Sequence, residues 1–370
     1  MFTLDEDVLA ALEESHEPGW TAASFYGSEE TEPLIPLTED GSISFDADGQ
    51  IQARGRVFLA KDSDRSLVPK AMTDPLAPFG QELALSRTIS VGGELLGEIP
   101  MGRFRITDVP DPEEYFARYP SQRAVVGWSV ELELQDRFEA IEADDFIETT
   151  GPGSGATCWG EIRRLSPYPI ERDEIAFPDK NVPRGTVYRS RRDAIQLLAT
   201  ALGGTPAFTR SGTLTVRQKD RWMTATEEEF EVNGTISMSN GYSNKLYNQV
   251  QVTSTTGGND LVGTARITDP SNPLAVSRPL GGRTYRTALP LESKAELDSA
   301  ASRLLRRLST RQAATVRVKC LPRADLDLGD FGLIRDPASG REVVGEVAGM
   351  TFPMNPRELM DLLVVAAETR

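Results

Sequence analysis

The sequence predicts a mainly β, multidomain protein of the α+β class, and three features predict it. Apolar and polar residues alternate with period two over many short runs, as half-buried antiparallel strands require. Glycine, proline and Asp-Gly pairs punctuate those runs at hairpin spacing. Two segments, 190–202 and 293–311, carry a sustained helical period, and a chain of 370 residues exceeds what one core ordinarily organises.

The first region, residues 1–140, opens on FTLDEDVLAALEE, which spaces Phe2, Leu4, Val8, Leu9 and Leu12 at roughly helical intervals among acids. That pattern suits a short amphipathic helix or a docking arm. From Trp20 the period changes to two. ISFDADGQIQARGRVFLA alternates around Asp48-Gly49, as a β-hairpin requires. LAPFGQELALSRTISVGGELLGEIPMGRFRIT is cut into short strands by Pro78, Gly92-Gly93 and Gly102. VVGWSVELELQDRF alternates at Val130, Leu132 and Leu134, so residues 20–140 read as one antiparallel β domain.

In the second region, residues 141–235, the strand signal stops near Glu139. A glycine-rich turn, GPGSGA at 151–156, precedes a short helix carrying Trp159, Ile162 and Leu165. SRRDAIQLLATAL at 190–202 is a clear helix: Ser190 caps it, Asp193 stands at the capping-box position, and Ala194, Ile195, Leu198, Ala201 and Leu202 form one face. Gly203-Gly204 ends it. The hairpin AFTRSGTLTVRQ, turning at Ser211-Gly212, completes a small helix-hairpin domain.

The third region, residues 236–370, returns to alternation in SNKLYNQVQVTST through Leu246, Val250 and Val252. Residues 257–283, rich in Gly, Pro and Asn, are expected to form a long exposed loop. Residues 293–311 form a second long helix, with Ala295, Leu297, Ala301, Leu304, Leu305 and Leu308 on or near one stripe. Arginines weight its C-terminal part, which suits the helix dipole. ATVRVKCLP and the closing segment from Asp325 read as short strands joined by tight turns.

Charge is divided unevenly. Residues 1–150 hold 11 basic and 31 acidic side chains, a net −20, while residues 151–370 hold 29 and 25, a net +4. An acidic protein repels nucleic acid and anionic lipid, so specific nucleic-acid binding and membrane insertion are not expected. No apolar run approaches the ~18 residues a membrane span needs, and MFTLDEDVLA has acids where a signal peptide has bases. A protein made in the cytoplasm and soluble there is expected. Cys158 and Cys320 stand far apart without a CxxC, which reads as two buried free thiols.

The search for reaction chemistry assigns no catalytic, cofactor-binding or metal residue. Nucleophilic triads need an imidazole, and the one histidine, His16, lies in an acidic stretch. Glu131, Glu133, Asp136, Asp144 and Asp145 are dense enough to weigh as a glycosidase pair, but Glu131 and Glu133 fall on the polar face of a strand. Asp325, Asp327 and Asp330 resemble half of a calcium loop without its later ligands, and read better as a turn before a strand. GPGSGA lacks the GK[ST] of a phosphate loop.

Taken in order, GSISFDADGQIQARGRVFLA, LAPFGQELALSRTI and PMGRFRITDV resemble the N-terminal region of siphophage minor tail proteins, the tail-tip (baseplate) hub family, as in actinobacteriophages. RDAIQLLATALGGTPAFTRSGTLTVR and NKLYNQVQVTS are similar to that family's helix-hairpin unit and the segment after it. DLDLGDFGLIRDPASGREVVGEVAGMTFPM resembles the ending common in hub proteins, so the likeness spans about residues 25–355. It implies two tube-like β domains per subunit and a homotrimeric, pseudo-sixfold ring at the virion tail tip, continuing the tail tube. It further implies a non-enzymatic structural role, no cofactors, and contacts with the distal tail protein, the tape measure protein and fibre or spike proteins, with DNA passing through the lumen. An acidic surface lining that lumen would keep DNA from sticking.

Two other readings stay open at this point. A receptor- or carbohydrate-binding tail protein would need an exposed aromatic platform, for which Trp20, Trp128, Trp159 and Trp222 are the tryptophan candidates. A cell-wall hydrolase would use the carboxylates above.

Overall fold

The computed structural model describes the chain apart from residues 1, 3, 14–15, 119–122, 149, 219, 222–224, 226, 242–246, 255–260, 290, 292, 312–314 and 370. Helix α1 (Glu6–Glu13) is followed by seven strands: β1 (Glu17–Tyr26), β2 (Glu29–Asp46), β3 (Ala53–Lys61), β4 (Gln81–Val91), β5 (Glu94–Asp108), β6 (Glu113–Arg118) and β7 (Arg123–Asp136). Next come α2 (Phe138–Ala143), α3 (Cys158–Leu165), α4 (Arg191–Leu202), β8 (Gly204–Phe208) and β9 (Leu214–Gln218). The rest of the chain forms β10 (Phe230–Val232), β11 (Thr235–Gly241), β12 (Gln249–Ser254), β13 (Val262–Arg266) and β14 (Thr284–Leu289). Helix α5 (Lys294–Arg311) precedes β15 (Thr315–Cys320), β16 (Phe331–Asp336), β17 (Arg341–Pro353) and β18 (Met360–Thr369). The molecule is mainly β with a minority of helix, the class the alternation predicts.

Six of the first seven strands close on themselves. The pairings run β1, β4, β5, β7, β3, β2 and back to β1, all antiparallel, which closes these strands into a barrel. Alternate residues point inward and fill it: Ile43, Val57, Leu59, Leu83, Leu85, Ile89, Phe104, Leu132 and Leu134 are all buried. The β4–β5 turn is Gly92-Gly93, both at positive φ (58° and 81°), the backbone that a two-residue hairpin loop demands. Val8 of α1 lies 2.7 Å from where a Cβ on Gly97 would sit, so that glycine lets the helix pack tightly on β5. The expected hairpin at Asp48-Gly49 is present, with the Asp48 N–H donating to the Asp46 carboxylate.

The C-terminal strands make a second rolled sheet in the order β11, β15, β18, β17, β16, β10. Strand β10 leads straight into β11, and the Thr235 hydroxyl donates to the Arg335 carbonyl beside it (2.5 Å), so the roll nearly closes. The two rolls share a seam. β2 is long enough to pair with β1 early and with both β3 and β17 later, Met350 standing opposite Phe45. One hydrophobic core therefore runs from Leu83 and Phe104 through Phe352 to Val318 and Leu362.

Two smaller units flank the rolls. Helices α2, α3 and α4 pack with the β8–β9 hairpin around Trp159, Ile162, Ile195, Leu198 and Leu214. The Ser190 hydroxyl caps α4 by accepting the Asp193 N–H, and Gly203 ends it at φ 106°, as the sequence predicts. Helix α5 lies on the sheet β13-β12-β14, burying Leu297 and Ala301 against Val250 and Val252.

Three local expectations need correction or addition. Residues 257–283 are not one long loop, because β13 pairs antiparallel with β12 from Val262 to Arg266. Its glycine, Gly263, marks close packing rather than a turn, since a Cβ there would meet the Leu297 backbone at 2.4 Å. Helix α2 and strand β10 have no counterpart in the sequence reading; six and three residues are too few to show a period. Leu246 lies outside the described residues.

Candidate functional site

A cleft of about 840 Å³ opens where the first barrel, the helix-hairpin unit and the second roll meet, lined in part by Phe2, Asp136, Phe208, Arg210, Arg217 and Asp327. Its chemistry follows from how each charged group is held. Arg210, at the tip of the β8–β9 hairpin, donates from Nε to Asp327 Oδ1 at 2.9 Å. Three of its other N–H groups donate to the carbonyls of Pro100, Ala324 and Leu326 at 3.1, 2.6 and 2.9 Å. The Phe2 ring lies 4.5 Å beneath the same guanidinium, and the Phe2 N–H donates to Asp325 O. One arginine thus ties the hairpin to both β units and to the N-terminal arm.

A second clamp sits on the barrel side. Arg137 meets the buried Glu82 through two donors, Nε at 2.9 Å and Nη2 at 2.5 Å, and a third donates to Gly212 O. Arg103 adds a contact to Glu82 at 3.1 Å. Asp136 ends β7 and accepts backbone N–H groups from Gln52, Ala53 and Phe138. Burial pushes its pKa up to about 6 against those three donors. Arg217 is surrounded by the charges of Glu346, Asp327, Asp330 and Asp48, and burial lowers its pKa.

These pairs fasten elements to one another. The carboxylates weighed as a glycosidase pair each have a structural partner: Glu131 binds Arg56, Asp144 pairs with Arg191 at 3.3 Å, Asp145 accepts the Arg191 N–H, and Asp136 accepts backbone N–H groups. Glu133 lies in β7 opposite Arg56 of β3. Asp325, Asp327 and Asp330 form the turn before β16, as expected: Asp325 binds Arg323, Asp327 binds Arg210, and Asp330 accepts the Asp327 N–H. Among the described residues no group of three or more His, Cys, Asp or Glu is placed to hold a metal ion, and no helix is long and apolar enough to cross a membrane.

His16 is half-buried just before β1. The GPGSGA turn leads to α3, whose first turn is capped by Thr157 accepting the Gly160 N–H. Cys158 and Cys320 are free and buried in different cores, as expected, and burial raises both thiols, to about 11 and about 12. Trp128 and Trp159 are core residues, Trp20 is half-buried and Trp222 lies outside the described residues. Arg210 lines the cleft, and Arg137 and Glu82 form the clamp beside it, yet each is an ordinary charged residue in an alternating strand or turn, so no local signal marks them.

No family model matches the sequence, and no curated protein matches it. Solved structures do. The tail protein from Neisseria meningitidis MC58 superposes with a TM-score of 0.55 at 13% identity, covering 94% of this chain and 98% of that one. The 43 kDa tail protein of prophage MuSo2 from Shewanella oneidensis gives 0.53 at 10% identity, covering 94% and 98%. The prophage tail protein gp18 from Listeria monocytogenes EGD-e gives 0.51 at 10%, covering 94% of each. At such identities the likeness establishes architecture: over nearly its whole length, this chain has the fold of these tail proteins.

Proposed function

We propose that this chain is a structural virion protein of the phage tail tip. In this reading three copies form a hub ring that closes or continues the tail tube and joins it to distal fibre or spike proteins. The observation that carries it is the pair of six-stranded rolls in one chain, fused along the β2–β17 seam: three such chains would present six similar units around an axis. The fold shared with tail proteins supports the same reading. So does a cleft whose charged groups are spent on holding elements together.

The proposal extends to working units. Residues 1–140 and 236–370 supply the tube-like β domains, and residues 141–235 the helix-hairpin domain, whose Trp159–Ile195 core is distinct from that of the rolls; β10, at the end of that stretch, already belongs to the second roll. Siphophage origin, contacts with the distal tail and tape measure proteins, and DNA passage through an acidic lumen belong to it as well. Native mass measurement and negative-stain images of the purified protein test it. A closed ring of three copies is expected; a species that remains monomeric at every concentration refutes the ring, and a neutral or basic bore refutes the acidic lumen.

A further inference from the structure

A closed ring of identical copies needs two different surfaces on each copy that fit one another, because a heterologous contact repeated by rotation is what closes a ring. The first such surface is an arm. Residues 123–127 of β7 pair with β6 alone, since β3 stops at Lys61 opposite Trp128 and β5 pairs only from Phe104 opposite Asp136 to Asp108 opposite Glu133. A two-stranded ribbon is marginal in water by itself. This one nevertheless shows apolar side chains, Tyr115 being 49% exposed and Val126 44%. Glu113, also exposed, lies beside them and accepts from the Tyr115 hydroxyl at 2.8 Å.

The second surface is the β11–β15 face of the second roll. Strand β11 ends the strand order and pairs with β15 only. Ile236 is 64% exposed and Leu321 58%, both at one end of the β11–β15 pair, and from there β15 turns Lys319 and Arg317 to the outside. Lys319 has one surface ion pair, with Asp361 at 3.5 Å, of a kind that contributes little. The two surfaces match in chemistry, apolar centre to apolar centre and acid to base, and they follow the division of the chain into a −20 part and a +4 part. Strand order also sets them apart: the arm hangs from β7, two strands beyond the seam in one direction, and β11 lies three strands beyond it in the other.

Resting on the ring reading, we infer that the β6–β7 arm of one copy docks on the β11–β15 face of a second copy. Tyr115 and Val126 pack against Ile236 and Leu321, while Glu113 faces Arg317 and Lys319. An aromatic anchor inside a charged rim is the usual energetic centre of such a contact.

The full-length protein tests this by light scattering coupled to sizing. Tyr115→Ser/Val126→Ser is expected to weaken self-association by at least about tenfold, the scale of losing an aromatic anchor. Arg317→Glu/Lys319→Glu should do the same, and combining it with Glu113→Lys should restore assembly, which a misfolded chain would not show. Mixing Val126→Cys chains with Ile236→Cys chains under mild oxidation should give disulfide-linked pairs, the buried native cysteines staying silent. Rings that persist in the arm and face variants overturn the docking inference and leave the ring reading standing. A wild-type chain that never associates overturns both.

Discussion

The Asp136 carboxylate accepts the backbone N–H of Gln52 at 2.7 Å, across 84 residues of chain. The same oxygen takes the Ala53 N–H at 2.8 Å, and its partner oxygen takes that of Phe138 at 2.9 Å. One side chain therefore ends β7, starts α2 and fixes the beginning of β3.

Its pKa makes this knot sensitive to pH. Burial moves Asp136 from 3.8 to about 6 in the folded protein, so between those values the folded state holds a proton that the unfolded state has released. The stabilisation is fully present below the unfolded value and is lost as pH rises through about 6, amounting to roughly 3 kcal/mol at 1.36 kcal/mol per unit. Asp136→Asn cannot ionise and should lack that slope. Urea unfolding of both proteins at pH 4.5 and pH 7 checks it: wild type should lose stability relative to the variant, and parallel behaviour would reject the assignment.

The Glu82–Arg137 pair should show strong coupling. Glu82→Leu leaves Arg137 and Arg103 facing a buried site without their carboxylate, a loss on the order of 3–5 kcal/mol. The double variant Glu82→Leu/Arg137→Met removes both charges and should cost less than the single change. A double-mutant cycle by chemical denaturation measures this, and additive effects would show that the pair is not the clamp its geometry indicates.

Gly263→Ala tests how α5 is seated. The added Cβ would lie 2.4 Å from the Leu297 carbonyl carbon and 2.5 Å from its oxygen, backbone atoms with little room to yield. A destabilisation of about 1–3 kcal/mol is expected. Hydrogen exchange should quicken in β12, β13 and α5 while the first barrel keeps its protection; a uniform change would contradict an independent α5 unit.

Local features were legible where a short window holds the whole cause. The turns at Asp48-Gly49, Gly92-Gly93 and Ser211-Gly212 stand where glycine or Asp-Gly interrupts alternation, and Ser190 and Gly203 bound α4 through contacts within a few residues. The aspartates at 325, 327 and 330 were readable as a turn for the same reason. Gly263 misleads for the opposite one: its absent side chain answers to α5, more than 30 residues away, as the Thr264 N–H to Asp298 contact also shows. The cleft was illegible throughout, because Arg210 finds Asp327 across 117 residues.

Periodicity and turn residues alone determined that this chain is mainly β, where its two long helices lie and where its hairpins turn, since those are contests between neighbours in sequence. Which strand edges meet was decided only in three dimensions. The closure of β1 on β2 and the joining of β2 to β17 depend on pairing between segments that alternate alike, so every strand carries the same local pattern and burial of a shared core selects the partner.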